Sequence, residues 1–434
     1  MTAAIPLFLA ASLAASGNPQ PGDSLAMDLS GWVSTALEES PDVASSRASV
    51  DIAEAGVLGS RSFLWPDLGL SASAGHTWTG PGDIPGGTGE DYSSYTYSLT
   101  LSQELLGEGG ASWLELSASR YGLQAARASH RQQVLSKVMG VISAYYGVVE
   151  ARELLQSARR AHRRSTGRLE RTQALYDVGG ATSLELTQAR VGESRDRLTV
   201  AQRRQGLTGA YYDLYEAAGI EADGSYAVNF DAVLEPLSTE EARSLDIDYR
   251  DNPGLTAAKA DVREASASLS ASKRAYWPTL SARGSWSWSD DEPELAEVPD
   301  NDSWNVSLNL SWSIFDGWFR ESRIQSTRGS YLRSRAALES VERSLATETA
   351  GARDQLLNSI ESYRIALMAR EQAEQQLDLS RRSYEMGATS LLDLLDAQQQ
   401  LAEAEASVVS ARMECLLQEA QLLVLLGRTP RLGE

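Results

Sequence analysis

Ser303-Trp304-Asn305-Val306-Ser307-Leu308-Asn309-Leu310-Ser311-Trp312-Ser313-Ile314 alternates without a break. In an extended chain Trp304, Val306, Leu308, Leu310, Trp312 and Ile314 fall on one side, and only serine and asparagine fall on the other. Successive side chains of a strand point to opposite faces, so this stretch is a strand with one apolar and one polar face. Just upstream, Leu280, Ala282, Trp286 and Trp288 alternate with Ser281, Arg283, Ser285, Ser287 and Ser289. Far earlier, Tyr95, Tyr97, Leu99 and Leu101 alternate with Ser94, Thr96, Ser98, Thr100 and Ser102, and Trp78 ends a fourth such run. The strands are expected at about 67–79, 93–105, 279–289 and 303–315. An apolar face ending in aromatic rings is the pattern of strands that cross a bilayer, with Trp78, Tyr95, Tyr97, Trp286, Trp288, Trp304 and Trp312 toward lipid. A soluble sandwich with one solvated face gives the same alternation. Gly80 to Asp91 and Asp290 to Asp302 are rich in Gly, Pro and Asp and suit hairpin loops. Four strands cannot close a barrel, and open edges are not tolerated in lipid. If the strands span a membrane, several chains share one barrel.

Working outward, the chain repeats itself. Pro41 and Trp65-Pro66 recur as Pro253 and Trp277-Pro278, each 212 residues on. Tyr176-Asp177-Val178-Gly179 recurs as Tyr384-Glu385-Met386-Gly387, and Glu185-Leu186 recurs as Asp393-Leu394, each 208 residues on. Each half reads as helix, two strands, very long helix, turn, long helix. The first helix of each half opens at its proline and ends at the Trp-Pro pair. The long helices are expected at about 110–176, 183–219, 318–384 and 390–427. Leu135, Val138, Ile142, Tyr145 and Val149 step by three and four, as do Leu394, Ala397, Leu401, Ala404, Val408, Ala411 and Cys415. Such spacing is a coiled-coil seam. The first repeat then covers 18–219, a linker 220–252, the rest of the second repeat 253–427 and a tail 428–434.

Composition narrows the function. A net charge of -20 over 434 residues argues against a nucleic-acid partner. Cys415 is the only cysteine, so no disulfide forms within the chain, and three histidines show no metal-ligand spacing. No nucleophile elbow, phosphate loop or zinc motif is present, and neither an enzyme activity nor a cofactor is expected. No stretch of 18 or more apolar residues reads as a transmembrane helix. Residues 1–17 have the apolar core and small-residue end of a secretory signal, without a Lys or Arg ahead of the core. Arg152, Arg159, Arg160, Arg163, Arg164, Arg168 and Arg171 crowd one stretch of the first long helix. They read either as a solvated face or as a collar for an acidic partner.

This duplicated order resembles the TolC family of outer-membrane efflux and secretion ducts. The sharpest signature is Tyr-x-x-Gly-(x5)-Asp/Glu-Leu-x-x-Ala, met by Tyr176/Gly179/Glu185/Leu186/Ala189 and by Tyr384/Gly387/Asp393/Leu394/Ala397. The resemblance implies an α+β membrane protein, a homotrimer with a 12-stranded β-barrel continued by an α-helical tunnel, and an equatorial belt from the linker and C-terminus. It implies an exit duct in the outer membrane with its helical part in the periplasm, serving a tripartite efflux pump or a type I secretion system. The turns Tyr176, Gly179, Gly180, Tyr384, Gly387 and Ala388 are then the tip that meets a periplasmic adaptor (a membrane fusion protein) and an inner-membrane pump. Asp393, Asp396 and Glu185 are the acids that the resemblance assigns to the pore constriction. Thr182-x-x-Glu185 and Ser390-x-x-Asp393 equally fit capping boxes, which account for Glu185 and Asp393 without a pore. Asp396 lies one turn further on. Members that dock on multidrug pumps often carry a bulky apolar residue after each turn glycine and an arginine two residues after the second. Here Gly180, Ala388 and Thr389 stand at those places. The alternative is a secreted or periplasmic coiled-coil scaffold with a small soluble sheet.

Overall fold

The structure is a computed structural model, and it describes residues 25–78, 91–222, 226–230, 234–291 and 302–432. The expected signal segment, Thr79, most of both strand loops, and parts of the linker and tail lie outside the described residues.

Four strands, β2 (Asp67–Trp78), β3 (Asp91–Leu106), β5 (Thr279–Asp290) and β6 (Asp302–Ser311), form one antiparallel sheet in the order β2-β3-β5-β6. The two repeats thus join through β3 and β5, and among the described residues β2 and β6 each pair on one side only. Leu99 sits opposite both Leu70 and Trp286, and Leu280 opposite Leu310, so all the apolar alternations share one face. At the helix-proximal end the register of β3 slips between Glu104 and Leu106, which returns Leu106 to the apolar row opposite Leu280. Strand β6 ends at Ser311, four residues short of the expected 315. Trp312 has left the ladder there, and its indole N–H donates to the Tyr276 carbonyl at 3.1 Å.

From the sheet run two helices of 67 residues each, α3 (Ala111–Asp177) and α7 (Phe319–Glu385). At 1.5 Å per residue each is about 100 Å long. Each turns back into a helix half that length, α4 (Ser183–Ala218) or α8 (Leu391–Leu425). The other half of each long helix is lined by α2 (Pro41–Gly59) or α6 (Pro253–Lys273). Both shorter helices stop before their Trp-Pro pair, at Gly59 and Lys273, and a single 3-10 turn fills the gap. Seam residues Leu135, Val138, Ile142, Tyr145, Val149, Leu394, Ala397, Leu401, Ala404, Val408 and Cys415 are all buried.

A belt of short elements packs against the middle of the long helices. An additional helix, α1 (Leu29–Glu39), precedes Pro41, and strand β1 (Leu25–Met27) pairs in parallel with β4 (Tyr226–Val228) of the linker. Trp32 of α1 is fully buried in a core with Val141, Ile142 and Tyr145 of α3, Leu214 of α4 and Met413 of α8. Tyr145 donates to the Asn229 carbonyl at 2.8 Å, and burial pushes its phenol up to about 12. A short α5 (Thr239–Ser244) caps a second core around Leu356, Cys415 and Leu422. In the tail, Arg431 pairs with Glu419, a buried carboxylate of α8. This core also explains why α3 contains an 18-residue window with a mean hydropathy of 1.2, close to a membrane span by composition, where none was expected. Its apolar residues from Val138 to Val149 pack inside the belt.

Candidate functional site: the sheet face, the helix tips and the links between helices

The two faces of the sheet differ in chemistry and in what covers them. On the apolar face Trp304, Val306, Leu308 and Leu310 are 76%, 86%, 67% and 65% exposed, and Leu68, Leu70 and Trp78 stand equally open. An exposed row of that length has no counterpart on an ordinary soluble surface. The other face is a ladder of hydroxyls. Ser71 and Ser98 meet at 2.7 Å, Thr96 and Ser289 at 3.2 Å, and Ser287 and Ser303 at 2.8 Å, one rung across each pair of neighbouring strands. Asp302 accepts from the indole N–H groups of both Trp286 and Trp304, at 3.0 and 3.1 Å, which fixes the ring band at the loop end of the sheet.

Trp288 corrects the expectation of a lipid-facing ring. Its register partners put it on the apolar side, yet it is 0% exposed. It sits in a central strand, between β3 and β6, with the Tyr97 ring at 5.5 Å. Tyr95, Tyr97 and Trp286 are half-buried for the same reason. The open apolar surface is therefore concentrated on the two outer strands.

At the far end of the long helices, Tyr-x-x-Gly is a backbone device. Gly179 has φ 74° and Gly387 φ 72°, the left-handed conformation that glycine adopts at least cost. The Gly179 N–H donates to the Tyr176 carbonyl and the Gly180 N–H to the Leu175 carbonyl; Gly387 and Ala388 do the same to Tyr384 and Ser383. This is the Schellman closure of a helix end, written twice. It leaves Val178 and Met386, one residue before each glycine, 80% and 76% exposed. Bulky apolar residues are expected after the turn glycines, where Gly180 and Ala388 stand, and these two come one place before the glycines. The signal was present, because the closure turns the residue before the glycine outward.

The acids behind the turns do cap their helices. Thr182 donates from its backbone N–H and its hydroxyl to Glu185 Oε2, at 2.7 and 2.9 Å, and the Glu185 N–H donates back to Thr182 Oγ1 at 3.2 Å. Those bonds, the backbone one first, hold the Glu185 carboxyl below its ordinary range. Ser390 and Asp393 repeat the box at 3.0, 2.7 and 3.3 Å. Asp396 is outside it. It is exposed one turn along, accepts from Gln400 at 2.7 Å, and lines a cleft bounded by α3, α4 and α8.

The arginine cluster on α3 is neither a uniformly solvated face nor a continuous collar. Ser157 and Arg160 donate to Glu405 of α8, with Arg164 4.0 Å from the same carboxylate. Arg168 donates to Gln398 of α8, and Arg152 lies over the Phe230 ring at 3.6 Å. Arg159, Arg163 and Arg171 stay exposed. Part of the cluster therefore fastens α8 to α3, a link that the sequence could not show because its partner is some 245 residues away.

A sheet with one open apolar face and one hydroxyl face, continued by helices of about 100 Å, is a segment of the wall of a membrane channel. The family model for outer membrane efflux proteins matches residues 32–220 and 250–428. Outer membrane protein TolC of Vibrio cholerae serotype O1 is 23% identical over 428 residues, 98% of this chain and 95% of that protein. Protein CyaE of Bordetella pertussis is 26% identical over 430 residues, 96% of this chain and 86% of that one. The crystal structure of the Campylobacter jejuni CmeC outer membrane channel matches with a TM-score of 0.80 at 17% identity, over 92% of this chain and 85% of that one. The chain belongs to the outer membrane efflux protein family. It is an outer-membrane channel of the efflux and secretion type, with its helical part in the periplasm.

Proposed function

We propose that three copies close one 12-stranded barrel in the outer membrane and one helical tunnel in the periplasm, forming a passive conduit without catalytic chemistry. The observation that carries this is the four-stranded sheet, with both edges unpaired among the described residues and an exposed apolar face backed by hydroxyls. One chain cannot satisfy the edges of β2 and β6, and in lipid each unpaired backbone group costs several kcal/mol. Edge-to-edge pairing of β2 with the β6 of the next copy satisfies both. It also directs every apolar row outward and every serine row into the lumen.

In this reading the Schellman turns at Gly179 and Gly387 are the tip that meets the periplasmic adaptor and, through it, an inner-membrane pump. Val178 and Met386 supply apolar contact there, in place of the bulky residues that Gly180 and Ala388 lack. Thr389 offers no charge, so docking rests on shape and apolar area. Asp396, with Asp393 beside it, forms the constriction, while Glu185 is mainly a cap.

The test is assembly. Extracted in mild detergent, the chain runs as a trimer in native mass spectrometry and falls to monomer on heating, because no covalent link joins the copies. A monodisperse monomer that stays soluble without detergent would end the barrel reading.

A further inference from the structure

We propose that the cleft between α3, α4 and α8 is a binding site for a small amphipathic organic anion, one carrying a planar or tetrahedral acid group on an apolar body.

The cleft measures about 550 Å³, within the range of pockets that hold a drug-sized molecule. Arg164 and Arg168 reach it from α3, and Arg195 and Arg203 from α4. Among the described residues no carboxylate lies within 4.0 Å of Arg168, Arg195 or Arg203, and Arg164 has only Glu405, at that limit. Arg168 and Arg195 instead donate to the neutral amides of Gln398 and Gln399 on α8. Two guanidinium nitrogens, Nη2 of Arg164 and Nε of Arg168, are buried with no hydrogen-bond partner.

The acids that line the same space do not fill this need. Asp396 accepts from Gln400 at 2.7 Å and Glu403 from Gln399 at 2.8 Å, and neither comes within 4.0 Å of a cleft arginine. Asp196 acts on Arg168 only at longer range, and burial still lowers the Arg168 pKa. A desolvated guanidinium without a bonded counter-charge is costly, and a bidentate oxyanion answers it better than water does. Leu154, Val191 and Leu395 supply the apolar remainder of the lining. A ligand seated there touches three helices and ties α8 to the α3–α4 pair.

The site lies within one chain, so its test does not depend on the trimer. The probe is naphthalene-2-sulfonate, titrated calorimetrically into the full chain held in amphipol so that no micelles compete. Saturable binding at one probe per chain is expected, with Arg168→Gln and Arg195→Gln each weakening it about tenfold by loss of a charge-assisted bond. Arg168→Lys, which keeps the charge and loses the fork, falls between. Arg159→Gln, on an exposed position of the same helix, leaves the affinity unchanged. Bound probe also raises the unfolding temperature in proportion to its saturation. Absence of saturable binding would overturn the proposal. So would equal affinity in Arg168→Gln, Arg195→Gln and the unaltered chain, or equal uptake of the cation 2-naphthylmethylammonium.

Discussion

From Glu108 to Gly110 the chain leaves β3 and enters α3 through three left-handed residues, φ 39°, 65° and 89°. Gly317 and Trp318 do the same before α7, at φ 69° and 72°. A Cβ on Gly109 would lie 2.6 Å from Cβ and Cγ of Trp277, whereas one on Gly110 meets open space. Gly110→Ala is therefore expected to cost only the left-handed penalty of about 1–2 kcal/mol. Gly109→Ala adds a clash with the Trp277 base and costs more, read as a lower temperature of trimer dissociation. Equal effects would mean that Trp277 moves aside freely. The acids offer a second contrast. Three Asp396 side chains converging on one axis would repel one another and attract cations. Asp396→Ala should then weaken cation selectivity, seen as a reversal potential in a salt gradient across planar bilayers, more than Glu185→Ala does. Glu185 already has a cap to explain it. Unchanged selectivity in Asp396→Ala would remove it from the constriction and leave the fold as it is.

Between elements, the seams bury ionisable groups as well as apolar ones. On α6, Glu264 packs its carboxylate against α3, where a Cβ on Gly122 would approach it to 3.2 Å. Burial raises the pKa of Glu264, with Asp261 adding to the effect, and burial raises Asp261 too. A carboxyl raised on folding penalises the folded state at neutral pH, and the penalty vanishes below the unfolded value of about 4. Glu264→Gln should thus raise the melting temperature at pH 7, by an increment that shrinks toward zero as the pH falls to about 4. An increment independent of pH would mean that the seam does not feel the charge. Elements also mark how far the sequence could be read. Period-two alternation over ten or more residues fixes which way Trp304 and Leu308 face, and tandem Schellman glycines mark where the long helices stop. The belt was not legible in the same way. Strands β1 and β4 are three residues each, too short for any period, and Trp32 is buried by partners from four other elements. The arginines of α3 were visible as a cluster, but their partner Glu405 depends on the relative register of two helices, which no local pattern encodes.

For the whole molecule, length and chemistry act together. In the proposed barrel, helices of about 100 Å joined to strands of 10 to 16 residues would give one chain two solvents, lipid around the sheet and water around the helices. A net charge of -20 suits the wet part, and the open apolar rows suit the other. The claim on which the rest stands is that the sheet faces lipid on its apolar side and a lumen on its serine side, in a shared barrel. Leu308 and Asn309 are neighbours in β6, both exposed, and they point to opposite faces. An arginine at the bilayer midplane costs about 2–4 kcal/mol per copy, and a trimer carries three. The decisive measurement is the trimer yield in outer membranes of Leu308→Arg beside Asn309→Arg. The account predicts loss of trimer for the first and a near-normal yield for the second. Equal yields, or the reverse order, would contradict it.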